Sequence, residues 1–170
     1  REAAHPGATC PNREAMTSLP SVTRILAAVG LSPDFSRIPE DVLEAGRKRG
    51  RAVHEAIEAA HYGYFYDLPP AYKPWFDAYL RFVEETRCQP IASEVEVISE
   101  RWGVIGHIDR VAWLATKRTI IDFKSGTSDG VQYQLAAYRM LWNETHPTEP
   151  VEQVLAVELR GDGSYRLSYR

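Results

Sequence analysis

Cysteine is scarce in this chain: 2 residues in 170, with 2 methionines and no long apolar run. Cys10 and Cys88 cannot build a disulfide framework, and an iron–sulfur cluster needs about four thiolates, so neither is expected. Sparse cysteine suits a reducing compartment, and a cytoplasmic location is expected. No stretch approaches the ~20 apolar residues that span a bilayer, and no charged-then-apolar leader follows Arg1, so no membrane partner is expected. An excess of one charge is also missing. Lys and Arg number 20 against 23 Asp and Glu, for a net charge of −3. A bulk field that gathers polyanions is thereby excluded, and any attraction for nucleic acid must be local. There is no internal repeat and no low-complexity tract.

What is present is an ordinary globular composition, 44% hydrophobic and 25% charged, in a chain long enough to bury a core without staples. Residues 1–18 carry Pro6, Gly7 and Pro11 without periodicity and are expected to form a disordered arm, leaving 19–170 as one domain. Capping residues and apolar stripes predict helices over 21–30, 41–62, 72–86 and 131–143. In the second, Val42, Ala45, Val53, Ala56, Ile57 and Ala60 fall on one stripe. In the third, Trp75, Tyr79, Phe82 and Val83 share a face and read as core. Alternating or β-branched runs predict strands over 91–98, 104–114, 119–124, 151–160 and 164–169, the last two around Gly161-Asp162-Gly163. Helices, three strands, a helix and two strands make an α/β domain whose mixed central sheet is flanked by helices.

The chemistry concentrates in Ile120-Ile121-Asp122-Phe123-Lys124-Ser125-Gly126 and the preceding Gly106-His107-Ile108-Asp109-Arg110. Asp122 and Lys124 are two apart on a strand and leave one face. A Thr116-Lys117 hairpin loop puts Asp109 opposite Lys124; a slip of two residues puts it opposite Asp122. Either register places two carboxylates and an ammonium on one sheet face, poor material for a core and good material for a divalent cation. Glu94 and Glu96 also share a face, and one of them is a candidate third acid. Hard oxygen donors without thiolates favour Mg²⁺ or Mn²⁺. His54 follows Gly46 and Gly50 at intervals of four, so the glycines line a trough in which another backbone can pack closely against the helix and the imidazole. Such a helical histidine is more often structural than functional; the trough is what singles it out. Gln134 and Tyr138, also four apart, are placed to hold a phosphate or to orient Lys124. Arg47, Lys48, Arg49 and Arg51 form a local basic cluster, and Lys117-Arg118 sit near a hairpin tip.

Taken in order, these elements resemble the PD-(D/E)XK nuclease superfamily, in its RecB-like and phage-exonuclease branch. The carriers are Arg49-Gly50-Arg51-Ala52-Val53-His54, Ser93-Glu94, Gly106-His107-Ile108-Asp109-Arg110, Asp122-Phe123-Lys124-Ser125-Gly126 and Gln134-Leu135-Ala136-Ala137-Tyr138, with Ser21 to Leu26 similar to an opening helix. Each is short; five in the right order over roughly residues 20–142 make the signal. The cysteines of iron–sulfur members are absent, and so is any helicase motif, so a motor would be a separate chain.

The resemblance implies a restriction-endonuclease-like core and a metal-dependent deoxyribonuclease, an exonuclease on linear DNA in recombination, repair or phage DNA processing, bacterial or phage-encoded. It implies Asp109, Asp122 and the Phe123 carbonyl as ligands of one or two Mg²⁺ or Mn²⁺ ions, with His54 and Glu94 completing the set. Lys124 would orient or deprotonate the attacking water. Gln134 and Tyr138 would position the scissile strand, and Arg47 and Arg51 would meet flanking phosphates. A neutral histidine ligand implies activity that falls below about pH 6.5. A recombinase, helicase or single-strand-binding protein is the implied partner. Two alternatives stand beside this: a catalytically inactive DNA-binding or scaffold module of the same fold, and a hydrolase of small phosphate esters.

Overall fold

The protein is described from a computed structural model covering residues 19–126 and 129–169; the expected N-terminal arm and Cys10 lie outside these residues. Helix α1 (Val22–Ala28) opens on Ser21, whose hydroxyl accepts the Arg24 N–H, a cap that satisfies one of the free amides of a first turn. Helix α2 (Glu40–Tyr62) starts after Pro39 with Glu40 and Asp41 in its first turn and ends on Gly63 at φ 73°, an end that favours glycine. A short 3₁₀ turn (Pro70–Tyr72) leads into α3 (Lys73–Thr86), and α4 (Val131–Thr145) follows the third strand. The strands are β1 (Gln89–Ser99), β2 (Val104–Leu114), β3 (Lys117–Lys124), β4 (Gln153–Leu159) and β5 (Tyr165–Tyr169).

The five strands lie in the order β1-β2-β3-β4-β5. All neighbours are antiparallel except β3 and β4, which are joined by the α4 crossover that parallel pairing requires. The architecture is the mixed sheet flanked by helices that the element order implied. On one face α4 and α1 cover Val97, Ile108, Val111 and Ile120 with Leu135, Tyr138, Leu141 and Val22. On the other α2 and α3 cover Ala112, Ile121, Phe123, Leu155 and Val157 with Val53, Ile57, Tyr79 and Phe82. Covered on both sides, β3 is buried from Thr119 to Phe123, which explains its unbroken apolar reading. Gly106 sets how closely α4 can approach: a Cβ there would lie 2.9 Å from Leu141 and 3.2 Å from Tyr138.

Two local expectations are corrected. The β2–β3 loop is Ala115-Thr116, because Leu114 pairs with Lys117. The alternative register therefore holds: Arg110 pairs with Ile121 and brings Asp109 level with Asp122. The apolar stripe of α2 also stops short. Val53, Ala56 and Ile57 are buried, but Val42, Ala45 and Ala60 are exposed, so only the middle of the stripe packs on the sheet among the described residues.

Candidate active site

The site forms where β1, β2 and β3 meet α2. Simple strand alternation fails there, and the failure aims the acids. Ala92 and Val95 both pack on the α4 side although they are three apart, as do Ile108 and Val111. The breaks fall at Glu94, whose φ is 49°, and at Asp109, which lies across from it between the paired Ser93–Arg110 and Val95–Ile108. A left-handed glutamate is strained backbone of the kind stored at functional sites. Asp109 and its neighbour Arg110 consequently both turn toward α2. Arg110, fully buried, donates to His61 Nδ1 at 2.8 Å and to the Ile57 carbonyl at 3.4 Å, tying the helix to the strand that carries Asp109.

His54 reaches down from α2 between these acids. Its Nδ1 is 3.7 Å from both Glu94 Oε1 and Asp109 Oδ2. Its Nε2 is 2.9 Å from the Phe123 carbonyl; a carbonyl only accepts, so Nε2 carries a proton and Nδ1 faces the acids. Asp109 Oδ2 in turn accepts the Phe123 N–H at 2.8 Å, taking the place of a ladder bond where β2 and β3 part. His54, Glu94 and Asp109 each offer one donor atom, all within 4.8 Å of one another. Glu96, the rival acid, pairs instead with His107 at 3.4 Å on the open surface.

Asp122 and Lys124 face the other way, toward α4, which corrects the expectation of one shared face. Lys124 Nζ donates to Asp122 Oδ1 at 3.0 Å and to Gln134 Oε1 at 3.3 Å, and Gln134 Nε2 donates to Asp122 Oδ1 at 3.0 Å. Asp122 is fully buried. Its Oδ2 lies 2.9 Å from Lys124 Nζ but outside hydrogen-bond geometry, and it has no other partner among the described residues. Tyr138 is 3% exposed and its hydroxyl accepts from Gln134, so it braces Gln134 from behind and cannot reach a DNA strand.

The titration behaviour follows from this crowding. Burial raises Asp109, the negative charge of Asp122 raises it further, and His54 and Lys124 pull it back, leaving it at about 7. For His54 burial acts downward, yet Asp109, Glu94 and Asp122 together carry it up to about 9. Burial likewise acts downward on Lys124, and Asp122 and Asp109 outweigh it, so the amine is held above its ordinary value. Lys124 is therefore an ammonium at neutral pH in the metal-free protein. The Cys88 thiol is buried, free and pushed up to about 11, chemically quiet.

The surroundings of α2 need two further corrections. A Cβ on Gly46 would meet nothing nearer than Arg49 at 4.0 Å, and one on Gly50 would sit 3.5 Å from Ser125 Oγ, so these glycines do not admit close packing of the helix. They line an open groove of about 710 Å³ that reaches His54, Phe123 and Lys124. Arg47 pairs with Glu40 at 2.8 Å and Arg51 with Glu44 at 3.5 Å, so neither is a free cation. Arg49 is held differently: it donates to the Ser125 carbonyl at 2.8 Å and stacks 4.7 Å from the Trp75 ring.

The model of the PD-(D/E)XK nuclease superfamily matches residues 67–161. The chain belongs to that superfamily. The matched span contains Glu94, Asp109, Asp122, Lys124, Gln134 and Tyr138 and begins after α2, so His54 enters the site through its geometry. No curated protein matches the chain. PD-(D/E)XK members are generally divalent-metal-dependent nucleases, and the donor set fits such an ion. His54, Glu94 and Asp109 converge on one point, burial and the charge of Asp122 raise Asp109, and among the described residues the buried Asp122 Oδ2 accepts no hydrogen bond. Sequence spacing missed Arg110 as an anchor of α2; its place beside Asp109 in the middle of an apolar strand was the available signal.

Proposed function

We propose that this protein is a Mg²⁺- or Mn²⁺-dependent deoxyribonuclease acting as an exonuclease on linear DNA, in a cytoplasmic recombination, repair or phage DNA-processing role beside a separate recombinase, helicase or single-strand-binding protein. The observation that carries the nuclease reading is the convergence of His54, Glu94 and Asp109 within 4.8 Å, next to an ammonium–carboxylate pair at 2.9 Å. The resemblance to RecB-like and phage exonucleases supports the finer assignment.

His54 Nδ1, Asp109 and Glu94 would hold the ion, and Asp122 Oδ2, which faces Lys124 at 2.9 Å without a hydrogen bond, is the further oxygen that would join them. A bound ion would polarise the phosphoryl oxygen and lower the pKa of its water. The Phe123 carbonyl, a ligand that the resemblance implies, accepts from His54 Nε2 and fixes which imidazole nitrogen faces the acids. Lys124 stabilises the charge that grows on the phosphoryl oxygens during attack. Gln134 and Asp122 hold its ammonium in place, and Tyr138 holds Gln134.

The test compares linear with closed circular duplex DNA in Mg²⁺, Mn²⁺, Ca²⁺ and excess chelator, for wild type and Asp109→Ala. Loss of linear DNA alone, in Mg²⁺ or Mn²⁺ only, and none with the variant, is expected. Cleavage in excess chelator would overturn the metal mechanism. Equal cutting of circular DNA would remove the exonuclease assignment, and a folded protein that binds but never cuts DNA would be the inactive module.

A further inference from the structure

The groove along α2 is built for more than a phosphate backbone. It runs from His54 back to Val42, twelve residues or about 18 Å of helix at 1.5 Å per residue. Its floor is Gly46 and Gly50, where among the described residues no side chain comes nearer than 3.5 Å to an added Cβ. Arg49 borders one side, its guanidinium within 4.0 Å of the Cβ positions of both Gly46 and Gly126, and Arg47 and Arg51 border the other. The end away from the chemistry is apolar: Phe35 is 41% exposed, Ile38 39% and Val42 54%. Phe35 and Ile38 are tied into one turn by the Ile38 N–H donating to the Phe35 carbonyl at 3.0 Å.

The geometry points to an unpaired strand, rather than duplex, as the form of DNA that enters the site along α2; this rests on the nuclease reading above. A duplex presents phosphates and groove edges and keeps its base faces stacked inside, so an apolar platform gains little from it. An unpaired strand exposes base faces that rest on Phe35 and Ile38 while its phosphates meet the arginines, the combination by which single strands are held without sequence preference. The pairs that Arg47 and Arg51 make are largely exposed, with arginine side chains 55% and 71% accessible, and such pairs yield readily to a competing phosphate. A protein segment would suit the apolar end alone, whereas arginines on both flanks and an opening onto Lys124 suit a polyanion.

The experiment measures anisotropy of a labelled single-stranded oligonucleotide and of a blunt hairpin duplex, with chelator present to prevent cleavage, for wild type and Phe35→Ala/Ile38→Ala. Wild type is expected to bind the single strand at least about tenfold more tightly. The double variant should lose about tenfold on the single strand and little on the duplex, with an unchanged melting temperature because both side chains are exposed. In Mn²⁺, wild type should cut frayed or overhanging ends faster than blunt ones, and the variant should lose that preference. Equal binding of both forms, unaffected by the variant, in a protein that still cuts DNA would overturn the groove reading alone. A folded protein that neither binds nor cuts any DNA would take the nuclease reading down with it.

Discussion

Metal binding should be tied to proton release, and the size of the effect follows from His54. Its Nδ1 must be bare to ligate an ion, yet Asp109, Glu94 and Asp122 hold the imidazolium to about pH 9 in the metal-free protein. Expelling that proton at pH 7 costs about two units at 1.36 kcal/mol each, roughly 2.7 kcal/mol or a hundredfold in apparent affinity. The Mn²⁺ dissociation constant should therefore tighten by up to about tenfold per pH unit between 7 and 8.5. The sign for folding is the reverse. The raised His54 contributes stability that is complete below about 6.5 and lost as pH rises through 9. Asp109, raised to about 7 by burial and by Asp122, adds a penalty that is absent below its ordinary 3.8 and complete above 7. Metal-free protein should thus melt at a lower temperature at pH 8.5 than at pH 6, and Mn²⁺ should reverse the order. Calorimetry in two buffers of different ionisation enthalpy reads the released protons directly. His54→Ala should flatten the affinity profile above pH 7. A wild-type affinity independent of pH, with no proton released, would refute the reasoning. The acid limb near pH 6.5 implied for a neutral histidine accordingly moves upward, because an ordinary value ignores the three acids around the ring.

Lys124→Ala should retain Mn²⁺ affinity by calorimetry and lose about 10²–10⁴-fold in cleavage rate, the scale of a positioned charge-stabilising group; normal cleavage would make it a spacer for Asp122. Removing Arg47 and Arg51 together should reduce the log–log salt slope of single-strand binding by about 1.4 units, at ~0.7 per phosphate contact, because their exposed pairs with Glu40 and Glu44 open to a phosphate. An unchanged slope would show that the phosphates run elsewhere. Gly106→Ala should destabilise the fold by about 1–3 kcal/mol in urea melts, since its Cβ would overlap Leu141 and crowd Val97. Gly50→Ala should instead stabilise the fold by about 0.5–1 kcal/mol, the helix-interior difference between glycine and alanine, since its Cβ meets Ser125 Oγ at an ordinary 3.5 Å.

The sequence carries the scaffold of this site more faithfully than its orientation, and the reason is local. Periodicity reports which way a regular strand or helix faces, so β2, β3 and α4 are legible from Val104, Ile120 and Leu135 and their neighbours, and Asp122 beside Lys124 follows from a spacing of two. Periodicity is silent where the backbone departs from regularity. Glu94 at φ 49° and the turn at Asp109 send two acids to the α2 side, while Asp122, level with Asp109, stays on the α4 side. Tyr138 looked like a strand-binding group because four-residue spacing cannot tell the front of a helix from its back. The glycines before His54 marked a real groove for the wrong reason, since openness and close packing both call for a missing side chain.

That same irregularity explains how one sheet separates two tasks. Had β1 and β2 kept strict alternation through Glu94 and Asp109, all the acids would share a single face with Lys124, and the lysine would neutralise the charge that an ion needs. Turning Asp109 and Glu94 toward His54 leaves Asp122 and Gln134 as the hydrogen-bond partners of Lys124, so cation-binding and charge-stabilising groups adjoin, and Lys124 acts on Asp109 through its charge alone. Arg110 is the fastener of this arrangement: its guanidinium holds His61 and the Ile57 carbonyl, two turns and one turn beyond His54 on the same helix. Any change that frees α2 from Arg110 should therefore widen the gap between His54 and Asp109 while leaving the Asp122–Lys124–Gln134 network intact. Arg110→Met should weaken Mn²⁺ binding in proportion to its loss of activity, whereas Lys124→Ala should lose activity alone. Equal metal affinity in Arg110→Met and wild type would mean that α2 holds its place without the guanidinium.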